Sequence, residues 1–561
     1  MCELTKNGLL DPLCSPFEAS NTLTASKVFD VSGTSIPTLT QVNSIARYLR
    51  KGFWDDNAYG PATLGFADRD VIRIDVSSLS ADAKKLALTG MSYWSEIIDR
   101  DYVVTTRDAD ITFTDDHSAD PSEPYEAYTS MNFRYDGQVD SALIQITPAW
   151  LLAAGNKVGT YGYQTYVHEI GHALGLGHAG LYNGTADYDR NAKFSMDSWQ
   201  TSIMSYFRQS DNHATRASDA NLTTPMLADL IAVREIYNTD ASDVTARSGN
   251  TIYGNNTNAG EVYGVQGTSY MVVDGGGYDQ LNYRDSIYSQ RIDLRGGQYS
   301  SVSGEVDNIA IAYGSEIEMA VGGEHDDRLD GNYLNNRLLA HGGDDHVYGR
   351  GGNDFIRGFY GDDLLKGGKG ADRIVGNYGR DIIFGERGDD ILSGENGSDK
   401  ISGNRGLDRL FGGAGNDALS GGFGSDWIAG QRGSDRIFGG EGNDRIYGGS
   451  GSDYIYSGKG TDTVDGGQGN DHIYAGGGAD VLHGGAGADH FYFARNTGGD
   501  RIRDFNADED DIVFLGTLKR SDVTLEKLNG DNWKLDIDDG GHVVLVGLDE
   551  APDLGSILEF A

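Results

Sequence analysis

Three histidines and a glutamate stand at a spacing suited to metal-assisted hydrolysis: His168, Glu169, His172 and His178, within HEIGHALGLGH. His168 and His172 are four residues apart, so on a helix they project from one face and can share one metal ion. Glu169, beside His168, is turned enough to hold a water bound to that metal. Gly175 can take the positive φ that ends a helix and turns the chain, which returns His178 as a third ligand. Three imidazoles suit zinc and leave one position open for water, the arrangement of a catalytic rather than a structural site. Downstream, Ser202-Ile203-Met204-Ser205-Tyr206 supplies an apolar thioether and a phenol. Without the upstream motif, Met204 and Tyr206 would be read as ordinary core packing.

A second set of residues suits a harder cation. From Asp327 every ninth residue is Asp except Asn336: Asp345, Asp354, Asp363, Asp372, Asp381, Asp390, Asp399, Asp408, Asp417, Asp426, Asp435, Asp444, Asp453, Asp462, Asp471, Asp480 and Asp489. Two residues after each Asp stands an apolar side chain, such as Ile356, Leu365, Ile446 or Phe491. Two residues before, from Gly343 to Gly487, stands Gly. This is G-G-x-G-x-D-x-U-x, the repeat of a calcium-binding parallel β-roll. Turn carbonyls and Asp carboxylates supply the oxygen ligands that Ca²⁺ prefers, and the U residues point inward as a thin core. The pattern predicts a six-residue turn and a three-residue strand per nonad, with two nonads per coil. At about 4.8 Å between strands, the array makes a roll about 45 Å long. The first nonads are degraded, with His325 and Leu334 in place of Gly, as is common for end repeats.

The elements that must position the histidines read as alternating strands and helices. A helix is expected over 41–54, a strand over 71–76, an amphipathic helix over 79–98 with Leu86, Met91 and Trp94 inward, and strands at 111–113 and 143–146. This predicts an α/β catalytic domain, then a right-handed parallel β-roll, a β-solenoid, and a β-rich C-terminal cap. The expected divisions are 1–30, 31–240 (catalytic), 241–321 (β lead-in), 322–493 (roll) and 494–561 (cap). The chain has 561 residues, 81 Gly, 9 Pro and a formal net charge of -40. That charge disfavours a nucleic-acid partner, and no run of 18 or so apolar residues predicts a membrane span. Two cysteines, Cys2 and Cys14, exclude a disulfide framework. The first residues carry no apolar core of a signal peptide.

The zinc motif together with Ser202–Tyr206 resembles the metzincins, and with the nonapeptide array it resembles the serralysins among them. The resemblance implies that Met204 lies beneath the zinc ligands as a Met-turn. It also implies that Tyr206 ligates the resting zinc and swings away to hydrogen-bond the transition state. Serralysins usually have Pro after the third His; Ala179 stands here. Arg247, Gly249 and Thr251 match one calcium-binding stretch of that family, and Asp274, Gly276, Gly277 and Asp279 match another. Glu316 and Glu318 align with a Thr-x-Glu pair, from which Glu316 departs. The family implies one catalytic Zn²⁺ and multiple structural Ca²⁺, protein or peptide substrates, a monomer, and a removable pro-segment of some 30 residues. Cys14 could then cap the zinc as a thiolate; a Cys2–Cys14 disulfide or two inert thiols are the other readings. Such proteins leave Gram-negative cells through a type I exporter that reads an uncleaved C-terminal signal, here ending Ile557-Leu558-Glu559-Phe560-Ala561. The expectation is a secreted zinc endopeptidase. The alternative is an extracellular calcium-stiffened binding protein with an inactive protease-like domain.

Overall fold

The computed structural model describes residues 37–560 apart from 57–62, 117–126, 135–137, 181–185, 213, 216, 240–246, 495–496 and 539. Cys2, Cys14 and the expected pro-segment lie outside the described residues. Two compact units divide between Glu324 and His325, three residues beyond the division expected from the repeat. Among the described residues no helix is long and apolar enough to cross a membrane.

The unit before Glu324 starts with a helix over Leu39–Arg47, capped by Thr38 and Gln41. It passes through one π-helical turn, Tyr48–Gly52, into Phe53–Asp56. The apolar positions Val42, Ile45, Leu49 and Phe53 are all buried, which accounts for the helix read there. The sheet contains β1 (Thr63–Leu64), β2 (Val71–Asp75), β3 (Asp101–Val104), β4 (Ile111–Thr114), β5 (Ala127–Phe133) and β6 (Gln138–Ile146), in the order β1-β6-β4-β2-β3. Neighbours on that path run parallel, and β5 alone is antiparallel, paired with β6. Helix Ala81–Ile98 buries Leu86, Met91 and Trp94 and ends at Asp99 in the left-handed region (φ 51°). It packs on a second helix, Tyr161–Ala173, which carries the histidine motif. The two helices approach closely at Gly90, where a Cβ would lie 3.1 Å from Ile170 Cδ1. Beyond helix Leu227–Ile236 the chain becomes β, with Gln280–Asn282 lying parallel between Ile252–Gly254 and Met319–Val321.

The unit from His325 is a right-handed parallel β-roll of two sheets, in which each strand pairs in register with the one 18 residues on, as Ile356 with Ile374 and Ile437 with Ile455. Two nonads per coil are therefore borne out. The strands are longer than expected: Phe355–Tyr360 and its equivalents run six residues, not three. The reason is glycine in the strand's fourth position. Gly358 leaves the ladder for one residue, and pairing resumes at Phe359↔Asn377 and Tyr360↔Tyr378. A Cβ at Gly358 would lie 2.0 Å from Asp363 Oδ2, and one at Gly424 (φ 137°) would lie 1.6 Å from the Gly406 carbonyl oxygen. The stacked U residues, from Leu329 to Phe491, are 0 % exposed. After Phe493 the roll continues without the nonad phase, through Gly499–Ile502, Asp511–Phe514 and His542–Val546, and Leu558–Phe560 pairs with Asp511–Phe514.

The single-file core gives neighbouring coils little freedom to close a void. Ile428→Ala should therefore destabilise the calcium-loaded roll by about 2–5 kcal/mol. Denaturant unfolding followed by circular dichroism measures this; a loss under 1 kcal/mol, on the order of a tolerated surface change, would contradict it.

Candidate metal centres

Helix Tyr161–Ala173 presents His168 and His172 half-buried on one side, and Gly175 (φ 97°) turns the chain so that His178 returns, buried, beside them. One ring nitrogen from each lies within 4.8 Å of the others. Trp54 Nε1 donates to the Gly175 carbonyl (3.0 Å), and Gly177 N–H donates to Leu49 O (2.8 Å), so the π-helical turn and the Phe53–Asp56 segment after the first helix clamp this turn. The tautomers are set from behind. His168 Nδ1–H donates to Ile203 O and His172 Nδ1–H to Leu176 O, both at 2.8 Å, leaving each Nε2 as a lone pair. His172 Nε2 faces His178 Nε2 at 3.0 Å. Burial lowers the His168 and His172 imidazoles to about 4 and about 3, which keeps them neutral. Neutral, inward-facing imidazoles at this separation fit a zinc ion.

Glu169 is buried, and Thr129 Oγ1, from β5, donates to its Oε2 (2.7 Å) and also lies 2.9 Å from its backbone oxygen. Burial raises this carboxyl to about 7, against the opposing Thr129 hydrogen bond. Tyr206 stands over the histidines, its ring centroid 4.5 Å from His178 and 5.8 Å from His168. Met204 is fully buried against the motif's helix: a Cβ at Gly171 would be 2.6 Å from its Sδ. Thus the described structure brings together His168, Glu169, His172, His178, Met204 and Tyr206.

Two supports carried no sequence signal. Thr129 lies on a strand that the periodicity did not reveal. Asp229, on helix Leu227–Ile236, is fully buried and accepts from Ser202 Oγ (2.6 Å), Ile203 N (2.7 Å) and Met226 N (2.8 Å). Since Ile203 O receives His168 Nδ1–H, Asp229 fixes the loop that orients a ligand. Burial still raises its carboxyl to about 7. Asp229→Ala would strand those donors, so a loss of about 2–4 kcal/mol is expected on thermal or denaturant unfolding; stability equal to the parent would contradict it.

In the roll, the repeat Asp side chains form two buried columns. Each Oδ1 accepts the N–H of the residue 18 positions earlier, as Asp363 Oδ1 from Asp345 N (2.9 Å). Each Oδ2 from Asp345 to Asp489 is buried and without a hydrogen-bond partner among the described residues. Burial raises most of these carboxyls to between about 6 and about 8, and Asp345 to about 10. Stacked, desolvated carboxylate oxygens beside turn carbonyls fit Ca²⁺. Asp500 extends one column, accepting from Asp480 N (2.9 Å) with its own Oδ2 unpartnered, and Asp510 caps the other, accepting from Asp489 N (3.0 Å). Their offsets of 20 and 21 residues break the nonad phase, which hid them in the sequence.

The lead-in residues only partly converge. Asp279 Oδ1 accepts from Thr251 N (2.7 Å), its N–H donates to Glu318 Oε2 (2.8 Å), and Gly277 lies against the Gly249 backbone. Asp274 accepts from Tyr253 OH (2.6 Å) and Gly276 N (3.2 Å). Burial raises Asp279 to about 7, and Asp274 adds to the rise. The Arg247 guanidinium turns elsewhere, to Glu96 and the Ala259 carbonyl, so only its backbone is available to a cation. Glu316 is exposed and acts on Glu318 through charge.

The raised Asp carboxyls have a pH consequence. Without ions, the folded roll binds more protons than the unfolded chain, whose Asp value is 3.8. Its stability is then greatest below about pH 4 and is lost as pH rises through about 6 to 8. A cation held by the columns would reverse the trend, because it needs the ionised carboxylates. In chelator, the full chain should show more β-signal by circular dichroism at pH 5 than at pH 8. Equal signals, or more at pH 8, would contradict this.

A family model described as Peptidase M10 serralysin C terminal matches residues 242–531. Metalloprotease AprA of Pseudomonas entomophila is 37% identical over 191 residues, covering 32% of this chain and 39% of that protein. Metallopeptidase AprA of Pseudomonas marginalis is 31% identical over 285 residues, covering 46% and 56%. Serralysin of Proteus mirabilis is 34% identical over 244 residues, covering 41% and 47%. The chain thus spans between 39% and 56% of the length of these curated relatives. With the family model matched over more than half of the chain, and the roll and histidine cluster in place, the chain belongs to the serralysin-type metalloproteases with a C-terminal β-roll.

Proposed function

We propose that this chain is a secreted zinc endopeptidase that cleaves internal peptide bonds, and that its β-roll folds as it binds calcium. The observation that carries the catalytic reading is the set of three imidazole nitrogens within 4.8 Å, with the buried Glu169 carboxyl beside them. His168, His172 and His178 would hold the zinc, with Tyr206 at hand as a further ligand. When bound, zinc supplies Lewis-acid polarisation of the scissile carbonyl and lowers the pKa of a bound water.

The chain's own residues supply the rest. Thr129 holds one oxygen of Glu169, so the other is left to take the water's proton and later deliver it to the leaving amine. Its burial, which lifts the carboxyl, makes it a better base than a solvated glutamate. Tyr206 OH, above the histidines, stabilises the oxyanion. Among the described strands β5 pairs only with β6, so its free edge suits an extended peptide added as a further strand. Tyr128 and Phe133 on β5 are exposed, and Thr129 ties this strand to Glu169. The orphaned Oδ2 columns support calcium as the roll's ion. Export by a type I exporter, protein substrates and a monomeric state complete the proposal from the family resemblance.

Glu169→Ala should bind zinc as the parent does, since Glu169 is a base and not a ligand, yet lose caseinolysis by about 10²–10⁴-fold or more. Metal analysis and turnover on the same purified sample measure both. Parent-like turnover in zinc-loaded Glu169→Ala would sink this mechanism; loss of zinc would place Glu169 among the ligands.

A further inference from the structure

One face of the roll carries a charge pattern opposite to that of the chain. In the sheet that starts with Arg337–Gly342, the outward position after each column residue reads Arg337, Phe355, Arg373, Ile391, Arg409, Trp427 and Arg445 on successive strands, in register. Arginine thus returns on every second strand, at about 9.6 Å along a straight line. All four arginines are exposed. None forms an ion pair among the described residues. The next outward column, from Leu339 to Tyr447, adds Arg357 and no acid. Between residues 325 and 493 as a whole, 16 Lys and Arg face only 9 Asp and Glu outside the buried columns. Once the columns hold cations, this surface is basic although the chain is formally -40.

We propose that this sheet face binds an extended acidic polysaccharide, a polyuronate, with Arg337, Arg373, Arg409 and Arg445 each taking a carboxylate. A two-fold polyuronate shows every second carboxylate on one side, with apolar sugar faces between, which matches arginines alternating with Phe355, Ile391 and Trp427. Guanidinium forks suit carboxylates in two-pronged contact. Duplex nucleic acid fits worse: it carries one charge per about 1.7 Å of axis on a helical path. A purely structural role, stapling the sheet through rings, accounts for Arg337 over Phe355 (4.8 Å) and Arg409 over Trp427 (5.6 Å). It does not account for Arg373 and Arg445, which lie over no ring among the described residues. The proposal stands independently of proteolysis.

The test uses the full chain, loaded with calcium, and a mannuronate oligosaccharide long enough to reach from Arg337 to Arg445, with a dextran oligosaccharide and single-stranded DNA as comparisons. The mannuronate is expected to bind, more weakly as salt rises, and the dextran not to bind. R337Q/R373Q/R409Q/R445Q should lower mannuronate affinity roughly ten-fold or more, with the calcium-dependent circular dichroism unchanged. R373Q/R445Q, which touches no ring contact, gives a second variant if the first misfolds, and should also weaken binding. K366Q/K400Q, on the other sheet, should leave it unchanged. No mannuronate binding by the parent, parent-like affinity in the arginine variants, equal loss in K366Q/K400Q, or DNA bound as tightly with the same loss would each overturn the proposal.

Discussion

Every coil of the roll depends on a carboxylate that the protein alone leaves half satisfied. The Asp Oδ1 atoms stitch each turn to the one 18 residues before it, while the Oδ2 atoms are buried with no donor. A buried, unpaired charge costs several kcal/mol, repeated down both columns, and the core between the sheets is one side chain deep. The fold therefore has the form of a container suited to cations, and its glycines follow from that. A side chain at Gly358 would occupy the space of Asp363 Oδ2, so the residue that permits the bend also makes room for the ligand oxygen.

The histidine cluster follows the same logic with nitrogen. His168 and His172 are held neutral and aimed by carbonyl acceptors, with His178 buried beside them. Orientation is passed outward in steps, from His168 to Ile203 and from Ile203 to Asp229. Such preorganisation would let a metal meet a formed site, whereas the roll's ionised carboxylates would repel one another in the absence of cations. On the proposed function, zinc would be held by a scaffold and calcium would be part of one.

Net charge describes the roll poorly. The formal -40 is a sum in which buried column carboxylates count as if they faced solvent. Removing them leaves the roll's outer faces with more cations than anions. An exclusion of anionic partners drawn from the total charge therefore does not extend to the sheet that carries Arg337 and Arg445.

The sequence by itself determined the coil and marked the candidate ligands. HEIGHALGLGH names its own geometry because helical spacing and one glycine turn are local, and the nonad phase states both the inward U residues and the Asp columns because a repeat can only stack on itself. It also placed a helix over 79–98, found as Ala81–Ile98, and the strands at 71 and 111, where apolar periodicity was strong. Tertiary structure alone decided what touches these elements. Thr129 and Asp229 look like any polar residues in sequence, since their role comes from contacts 40 residues away in one case and 26 and 27 in the other. Asp500 and Asp510 join the columns only because strands Gly499–Ile502 and Asp511–Phe514 return in register. The six-residue strands arise because pairing between strands resumes beyond each bending glycine, a cooperative effect of neighbouring coils that no single nonad contains.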